Sequence, residues 1–177
     1  MFGLFKKDPR RDIMLALYKR VADASRTPWL YLDAGVPDSV EGRLESLTLH
    51  ALLVMRRLKA LPDPAPEVAQ EFIDVLFQHV DHGLRELGVG DVVVPKRMKK
   101  IAQNFYGRVT AYAEPLDQGD QVALAAALDR NIPGVASARL VPYLVASEGL
   151  LSALSLDDLL NAATLFALPG PAGHRPA

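Results

Sequence analysis

The chain has 177 residues, no cysteine and a formal net charge of -1, and its length suffices for one domain with its own hydrophobic core. The absence of cysteine excludes disulfides, thiolate zinc sites, iron-sulfur ligation and cysteine nucleophiles. Residues 1–11 and 91–108 together hold nine Lys/Arg and two Asp, whereas the rest of the chain holds 11 Lys/Arg and 19 Asp/Glu, an asymmetry that favours directed contact with a partner and disfavours nucleic-acid binding.

The N-terminal residues 1–11 combine Phe2, Leu4 and Phe5 with four basic residues. This composition can rest against an anionic membrane surface, and it is equally typical of a frayed terminus. The segment lacks the apolar core of a secretory signal, and no apolar run in the chain reaches the roughly 18 residues that cross a bilayer. We therefore expect a soluble protein of cytoplasmic origin.

Helical apolar spacing along most of the chain predicts an all-α bundle of about six to seven helices. A first helix is predicted over about residues 10–25, and an irregular loop, PWLYLDAGVPD, follows it. Asp38, with Glu41 three positions later, resembles a capping box and predicts the start of the next helix. Two apolar faces are predicted for that helix, one with Leu44, Leu47, Ala51, Met55 and Leu58 and the other with Leu49 and Leu53.

Prolines at 62, 64 and 66 end that helix, and another is predicted over about residues 66–87. Gly88 is predicted to end it in a left-handed conformation, and Pro95 to begin the next helix. Between them, Val92–Val94 has the composition of a strand, which is too short to form a sheet alone.

Three further helices are predicted over about residues 119–131, 136–154 and 155–167. Pro142 lies near the start of the second of them, and Ser155 with Asp158 suggests a cap for the third. We predict one helical domain over residues 1–168 and a disordered tail over residues 169–177, which are rich in Pro and Gly.

The helix that begins at Pro95 is amphipathic and basic. Its predicted core face carries Met98, Ile101, Ala102, Phe105, Val109 and Tyr112. The predicted solvated side carries Lys96, Arg97, Lys99, Lys100, Gln103, Asn104 and Arg108. Cations in the first turn have the wrong sign for the helix dipole, which favours a binding function, although a lysine face that neutralises nearby acidic helices is the alternative.

The segment QHVDHGLRE brings His79 and His82 close to Glu86, at spacings that can hold a metal or a haem. A third protein ligand is not evident, and a hydrogen-bonded core histidine is the commoner role for His79. We expect Asp81 and Arg85 to form an intrahelical ion pair. We expect Asp91 to cap backbone donors or to pair with the lysines that follow it. No nucleophile and base occur at a catalytic spacing, so we predict no enzymatic activity and no cofactor.

Two blocks, YLDAGVPDSVEGRLESLTLHALLVMRRL (Tyr31–Leu58) and LRELGVGDVVVPKRMKKIAQNFYGR (Leu84–Arg108), resemble the ubiquinol-cytochrome c chaperone family. The resemblance spans roughly residues 12–131 and rests on GVPD-x-x-x-GR, LH, LRE-x-GVGD, KRMKK and FYGR. It implies an all-helical, non-enzymatic assembly factor for respiratory complex III that holds newly made cytochrome b, in mitochondria together with a small partner protein. For a chain without a transit peptide, it implies work on the cytoplasmic face of the inner membrane.

From the resemblance and the charge pattern we predict a partner-binding surface in and around the second block. It contains Arg43, Asp81, Arg85, Glu86, Asp91, Val92, Val93, Lys96, Arg97, Lys99, Lys100 and Arg108. We expect Val94 to share the apolar contacts of the two valines before it. Arg43 and His50 are candidates to join this surface or to hold the loop beside it, although a structural role is the commoner one for His50. Two rival interpretations remain. One is a haem-handling protein with His79, His82 or His50 as ligands, and the other is a peripheral membrane protein whose N-terminus and basic helix bind anionic lipid.

Overall fold

The computed structural model describes residues 9–170, which form eight α-helices. These are α1 (Pro9–Ser25), α2 (Pro28–Leu32), α3 (Val40–Ala60), α4 (Ala65–Glu86), α5 (Val94–Gln118), α6 (Gln121–Asn131), α7 (Ser137–Ser152) and α8 (Leu156–Asn161). The predicted all-α class is confirmed. Within the described range no helix combines the length and apolarity that a membrane span requires. The Phe-rich start of the chain and residues 171–177 of the predicted tail lie outside the described residues.

Helix α3 lies at the centre of the bundle and packs against α1, α4, α5 and α7. Eleven of its 21 residues are buried, among them Leu49, Leu53 and Leu58, and Leu44 and Leu47 pack against the same core. A helix with apolar residues on more than one face needs neighbours on several sides, so the two faces predicted for α3 account for its central place. Every other helix adds side chains to the same apolar cluster.

The predicted irregular loop after α1 contains a helix. Residues 28–32 form α2, since Pro28 occupies a first-turn position where its fixed φ suits a helix and Leu30 is buried against the core. The predicted cap of α3 is wrong by one residue. Ser39, not Asp38, is the N-cap, and its hydroxyl oxygen accepts a hydrogen bond of 3.1 Å from the backbone N–H of Gly42.

The valines after α4 form a turn and not a strand. Gly88 ends α4 with a φ of 79°, as predicted. The backbone N–H groups of Val93 and Val94 then donate to the carbonyl oxygen of Gly90, at 2.8 and 3.1 Å. Val94 is the first residue of α5 and is fully buried, so the prediction that it offers an exposed contact is wrong.

Helix α8 is shorter than the helix predicted over residues 155–167. Ser155 and Asp158 form the predicted capping box, but the helix ends at Asn161. The Arg20 guanidinium of α1 donates to the carbonyl oxygens of Leu159, Leu160 and Ala162, which removes these acceptors from a further turn. The chain beyond them is irregular, and its apolar side chains fill the core as a loop: Leu165 and Phe166 are buried.

The loop between α2 and α3 lies in close contact with two other segments. Gly35 has a φ of 72°, and a Cβ atom at this position would lie 2.5 Å from the carbonyl oxygen of Gly134. The backbone N–H of Ala136 also donates to the carbonyl oxygen of Ala34 at 2.8 Å. At Gly42 a Cβ atom would lie 1.9 Å from the carbonyl oxygen of Pro37. Both glycines of the GVPD-x-x-x-GR block are therefore required by backbone packing.

We predict that Gly42→Ala lowers the free energy of unfolding by at least about 2 kcal/mol, because the Pro37 carbonyl is backbone and cannot move aside without displacing the loop. Urea denaturation followed by circular dichroism measures the change. Gly107→Ala is the matched control within α5, where nothing lies near the added methyl group, and it should raise stability by about 0.5 to 1 kcal/mol. Equal effects of the two substitutions would contradict the packing argument.

Candidate functional site

A concave groove of about 660 Å³ separates the start of α3 from the first half of α5. Residues 37–48 form one wall and residues 97–108 the other, and Leu84 and residues 131–133 complete the lining. We call it the α3/α5 groove. It brings the two sequence blocks together in space, although α4 separates them in the chain.

The groove is open because α5 packs loosely against the bundle in its first half. The side chains predicted for its core face do point inward, and Phe105 and Tyr112 are buried. In the first half of α5, Met98 and Ile101 are only half-buried, although they touch the core. The first half of α5 therefore contacts the core through a few residues and leaves space beside α3.

Four cations stand at the start of α5. Lys96, Arg97, Lys99 and Lys100 are exposed, as predicted, and their side chains form no hydrogen bond or ion pair with any residue in the range 9–170. The first turn of α5 has no acidic residue, and Val93 supplies no side-chain cap. The positive end of the helix dipole and four cations thus lie together, and no negative charge among the described residues pairs with the cations. Neutralisation of neighbouring acidic helices, the alternative for these lysines, has no ion pair to support it there.

Arg108 differs from these four cations, and its expected place on the solvated side of α5 is wrong. Its Nε atom donates to both carboxylate oxygens of Glu45, at 3.0 and 2.9 Å, and its Nη2 atom lies 2.8 Å from Oε1 of the same residue. The two side chains are only 24% and 16% exposed. Hydrogen bonding to Glu45 raises the pKa of Arg108. The pair ties α5 to α3 along the lining of the groove, and a role of Arg108 in partner binding stays a prediction.

The loop between α4 and α5 is attached to α4 by Arg85. Its Nε atom donates to Asp81 at 2.7 Å, which confirms the predicted intrahelical pair, and its Nη1 atom donates to Asp91 of the loop. Asp91 therefore pairs with Arg85 and not with the following lysines. The loop presents Val92, which is 93% exposed, and Val93, which is 46% exposed. Glu86, the remaining acidic candidate, lies 3.2 Å from Nε2 of His82.

Arg43 pairs with the loop before α3, and not with the loop between α4 and α5 that was one of the two roles predicted for it. Its Nε atom donates to Asp38 at 2.7 Å, and both side chains remain exposed. Arg43 also lines a second groove of about 680 Å³, between α1, α3 and α4. Leu84 and Val40 line both grooves, so the start of α3 separates them.

His50 is a core residue. It is fully buried, and its Nδ1 atom donates to the backbone carbonyl oxygen of Ser46 at 2.7 Å. Since a carbonyl can only accept, the proton is on Nδ1, and Nε2 accepts from the Tyr143 hydroxyl at 2.7 Å. Burial lowers the pKa of His50 to about 4. With both ring nitrogens in use, His50 has no atom left for a metal or haem.

His79 and His82 also have partners within the protein. The His79 ring stacks on Tyr18, with ring centroids 4.2 Å apart, and its Nδ1 atom donates to the carbonyl oxygen of Val75 at 2.9 Å. His82 pairs with Glu86 on the surface of α4. Among residues 9–170, no three His, Cys, Asp or Glu side chains come together in a way that could hold a metal ion.

Glu45 is a residue of this site that sequence analysis missed, and Tyr112, predicted for the core face of α5, lies outside the groove lining. Glu45 is 63 positions from Arg108, and no spacing rule connects residues that far apart. The Tyr112 hydroxyl is enclosed and has no hydrogen-bond partner within the described part of the chain, and burial raises its pKa. Its aromatic ring continues the core face of α5, which gave no reason to single out its oxygen.

The family model described as ubiquinol-cytochrome C chaperone matches residues 32–166 of the chain. A solved structure, the crystal structure of the Cbp3 homolog from Brucella abortus, is similar to the chain with a TM-score of 0.78 and 40% sequence identity, over 88% of this chain and 89% of that chain. No curated protein matches the chain. The matched range begins later than the resemblance at residues 12–131, at residue 32, and extends past its end to include α7 and α8.

We predict that Arg108→Met lowers the free energy of unfolding by about 2 kcal/mol, because it leaves the largely buried Glu45 carboxylate without its cation. Arg97→Met, on the same helix but exposed and unpaired with any described residue, should change it by less than about 0.5 kcal/mol. Urea denaturation measures both variants. Adding Glu45→Leu to Arg108→Met should recover most of the loss. If the two arginine variants unfold alike, the ion pair does not secure α5.

We also predict that His50 makes stability depend on pH. The unfolded chain binds a proton at His50 near pH 6.5, whereas the native chain binds it only near pH 4. The stabilising contribution is therefore complete above about pH 6.5 and is lost, by about 3 kcal/mol in all, as the pH falls towards 4. Urea unfolding at a series of pH values should give a shallower acid loss for His50→Gln than for the wild type. Parallel curves would contradict this assignment.

Proposed function

The chain belongs to the ubiquinol-cytochrome c chaperone family, and from this membership we propose that it assists assembly of respiratory complex III by holding newly made cytochrome b at the membrane surface. The proposed place of action is the cytoplasmic face of the inner membrane. Binding alone performs this role, so the proposal needs no chemical step and no cofactor.

The observation that carries the proposal is the group of four exposed cations at the start of α5. Lys96, Arg97, Lys99 and Lys100 oppose the dipole of their own helix and have no ion-pair partner among residues 9–170. Acidic residues at these positions would stabilise the helix, so the cations lower stability where they stand. An acidic surface of a client protein supplies the missing counter-charge.

Apolar contacts next to these cations complete the proposed surface. Val92 and Val93 are exposed at the tip of a loop, directly before α5. Arg85 attaches the loop to α4 through Asp81 and Asp91, so the valines are presented with less freedom than an unattached loop would have. Exposed apolar side chains within a basic surface suit a partner that is acidic at its edge and apolar where it meets the valines.

A small assembly partner protein fits the same proposal through the second groove, between α1, α3 and α4. This groove lies on the other side of the α3 start and is flanked by both signs of charge, from Arg26, Arg43 and Glu86. A client in contact with α5 and a partner beside α4 would therefore lie on opposite sides of the start of α3.

We predict that replacing Lys96, Lys99 and Lys100 by Glu reduces the cytochrome b that co-purifies with the tagged protein from native membranes by at least about tenfold. The same change should leave the unfolding midpoint equal or higher, because Glu suits a helix N-terminus. Opposite effects on binding and stability distinguish loss of contact from loss of fold.

The matched control reverses three cations elsewhere, Lys19, Lys59 and Arg130, and gives the same net charge. These residues are exposed on α1, α3 and α6. Capture of cytochrome b should remain within about twofold of the wild type, since only non-specific attraction changes. If the α5 variant captures as much cytochrome b as the control, the basic helix is not the docking surface.

A further inference from the structure

The cations at the start of α5 divide into two pairs by position. Arg97 and Lys100 line the α3/α5 groove, whereas Lys96 and Lys99 are also exposed but are not part of its lining. A flat partner can reach all four. Only a partner that enters the groove can contact Arg97 and Lys100 and, at the same time, the surface between the two helices.

The charge inside the groove favours an anionic occupant. Its lining holds two carboxylates, those of Glu41 and Glu45. Glu45 is already paired with Arg108. The charges left in the lining are therefore the negative Glu41 and the positive Arg97 and Lys100. Lys96 and Lys99 add positive charge one helical turn away or less. An acidic group in the groove therefore meets a net positive field.

The groove also has an apolar surface that the protein itself leaves partly uncovered. Val40 is 43% exposed, and Leu44 and Ile101 are half-buried. A volume of about 660 Å³ accommodates several side chains and is within the range of specific binding clefts. Free ions or small polar solutes would leave this apolar surface in water.

We propose that the α3/α5 groove receives a short acidic amphipathic segment of the client protein, with its apolar side chains on Val40, Leu44 and Ile101 and its carboxylates beside Arg97 and Lys100. The inference rests on the proposed function for the existence of a protein client and adds how that client is recognised. It follows the helix-in-groove mode, in which an apolar face gives affinity and charged edges give orientation.

A membrane surface fits these observations less well. A bilayer is flat on the scale of one helix, so it can contact the projecting Lys96, Lys99 and Val92 but not the concave surface between α3 and α5. The apolar residues of the groove would then have no role, although a flat surface can also reach the exposed ends of Arg97 and Lys100. A segment of polypeptide uses both.

Filling the groove without changing its charge gives the sharpest test. Asn104 is exposed and lines the groove, whereas its neighbour Gln103 is exposed and does not. Asn104→Trp should therefore occupy the space meant for the segment, and Gln103→Trp is the matched control on the same helix. Circular dichroism and urea unfolding should be the same for both variants within experimental error.

The probes are fluorescent peptides that together cover all the non-spanning segments of cytochrome b from the same organism, titrated into the full chain. We expect an acidic peptide to bind with salt-dependent affinity, weakened at least about tenfold by Asn104→Trp and less than about twofold by Gln103→Trp. The double variant Arg97→Glu/Lys100→Glu should weaken it more than Lys96→Glu/Lys99→Glu. Equal binding by the two tryptophan variants would overturn the groove as the site.

Two further measurements separate this inference from the proposed function. Vesicles of equimolar phosphatidylglycerol and phosphatidylcholine should not displace the peptide from the wild-type protein. If the vesicles displace it, and if Gln103→Trp and Asn104→Trp bind the vesicles equally well, the cations bind lipid and not the segment. If Asn104→Trp still captures cytochrome b from membranes while the triple α5 reversal does not, the groove inference fails and the proposed function stands. If wild-type protein captures no cytochrome b, the proposed function itself fails.

Discussion

The backbone of Gly42 lies against the carbonyl group of Pro37, and the position of both grooves depends on this contact. It fixes the first turn of α3 on the loop before it, while Gly35 fixes the same loop on the connection between α6 and α7. Because α3 is the central helix, its start can hardly move without its neighbours. Two glycines thus determine where the wall opposite α5 stands.

Several arginines differ from the lysines at the start of α5 in the contacts that they make. Several arginines are internal ties: Arg56 bridges Asp117 of α5 and Glu148 of α7, Arg57 donates to the carbonyl oxygen of Leu154, and Arg108 binds Glu45. A planar guanidinium holds several acceptors at once, which suits joints between helices. The three lysines of the KRMKK stretch carry compact charges on flexible stems and have no such ties among the described residues. Their freedom leaves their charge available to another molecule.

Sequence periodicity predicted the helical class, the core face of α5 and the exposure of Lys96, because these follow from residues that are near in sequence. It could not predict that Arg108 would turn to Glu45, since the pairing depends on how two helices pack. The early end of α8 has the same origin: Arg20, far away in α1, takes the carbonyl groups that a longer helix would use. The apolar spacing of Leu165 and Phe166 is real, but a loop buries them as well as a helix would.

The proposed function also requires release of the client, and the exposure of the α5 lysines bears on that release. Each contact between a solvated lysine and a carboxylate contributes only about 0 to 1 kcal/mol, so no single contact holds the client. A later subunit that approaches the same acidic segment can displace the lysines one at a time, and each step has a small barrier. A buried ion pair of the kind that Arg108 forms would have to break all at once. Under the proposed function, the dispersed charge therefore favours transfer of the client by gradual exchange.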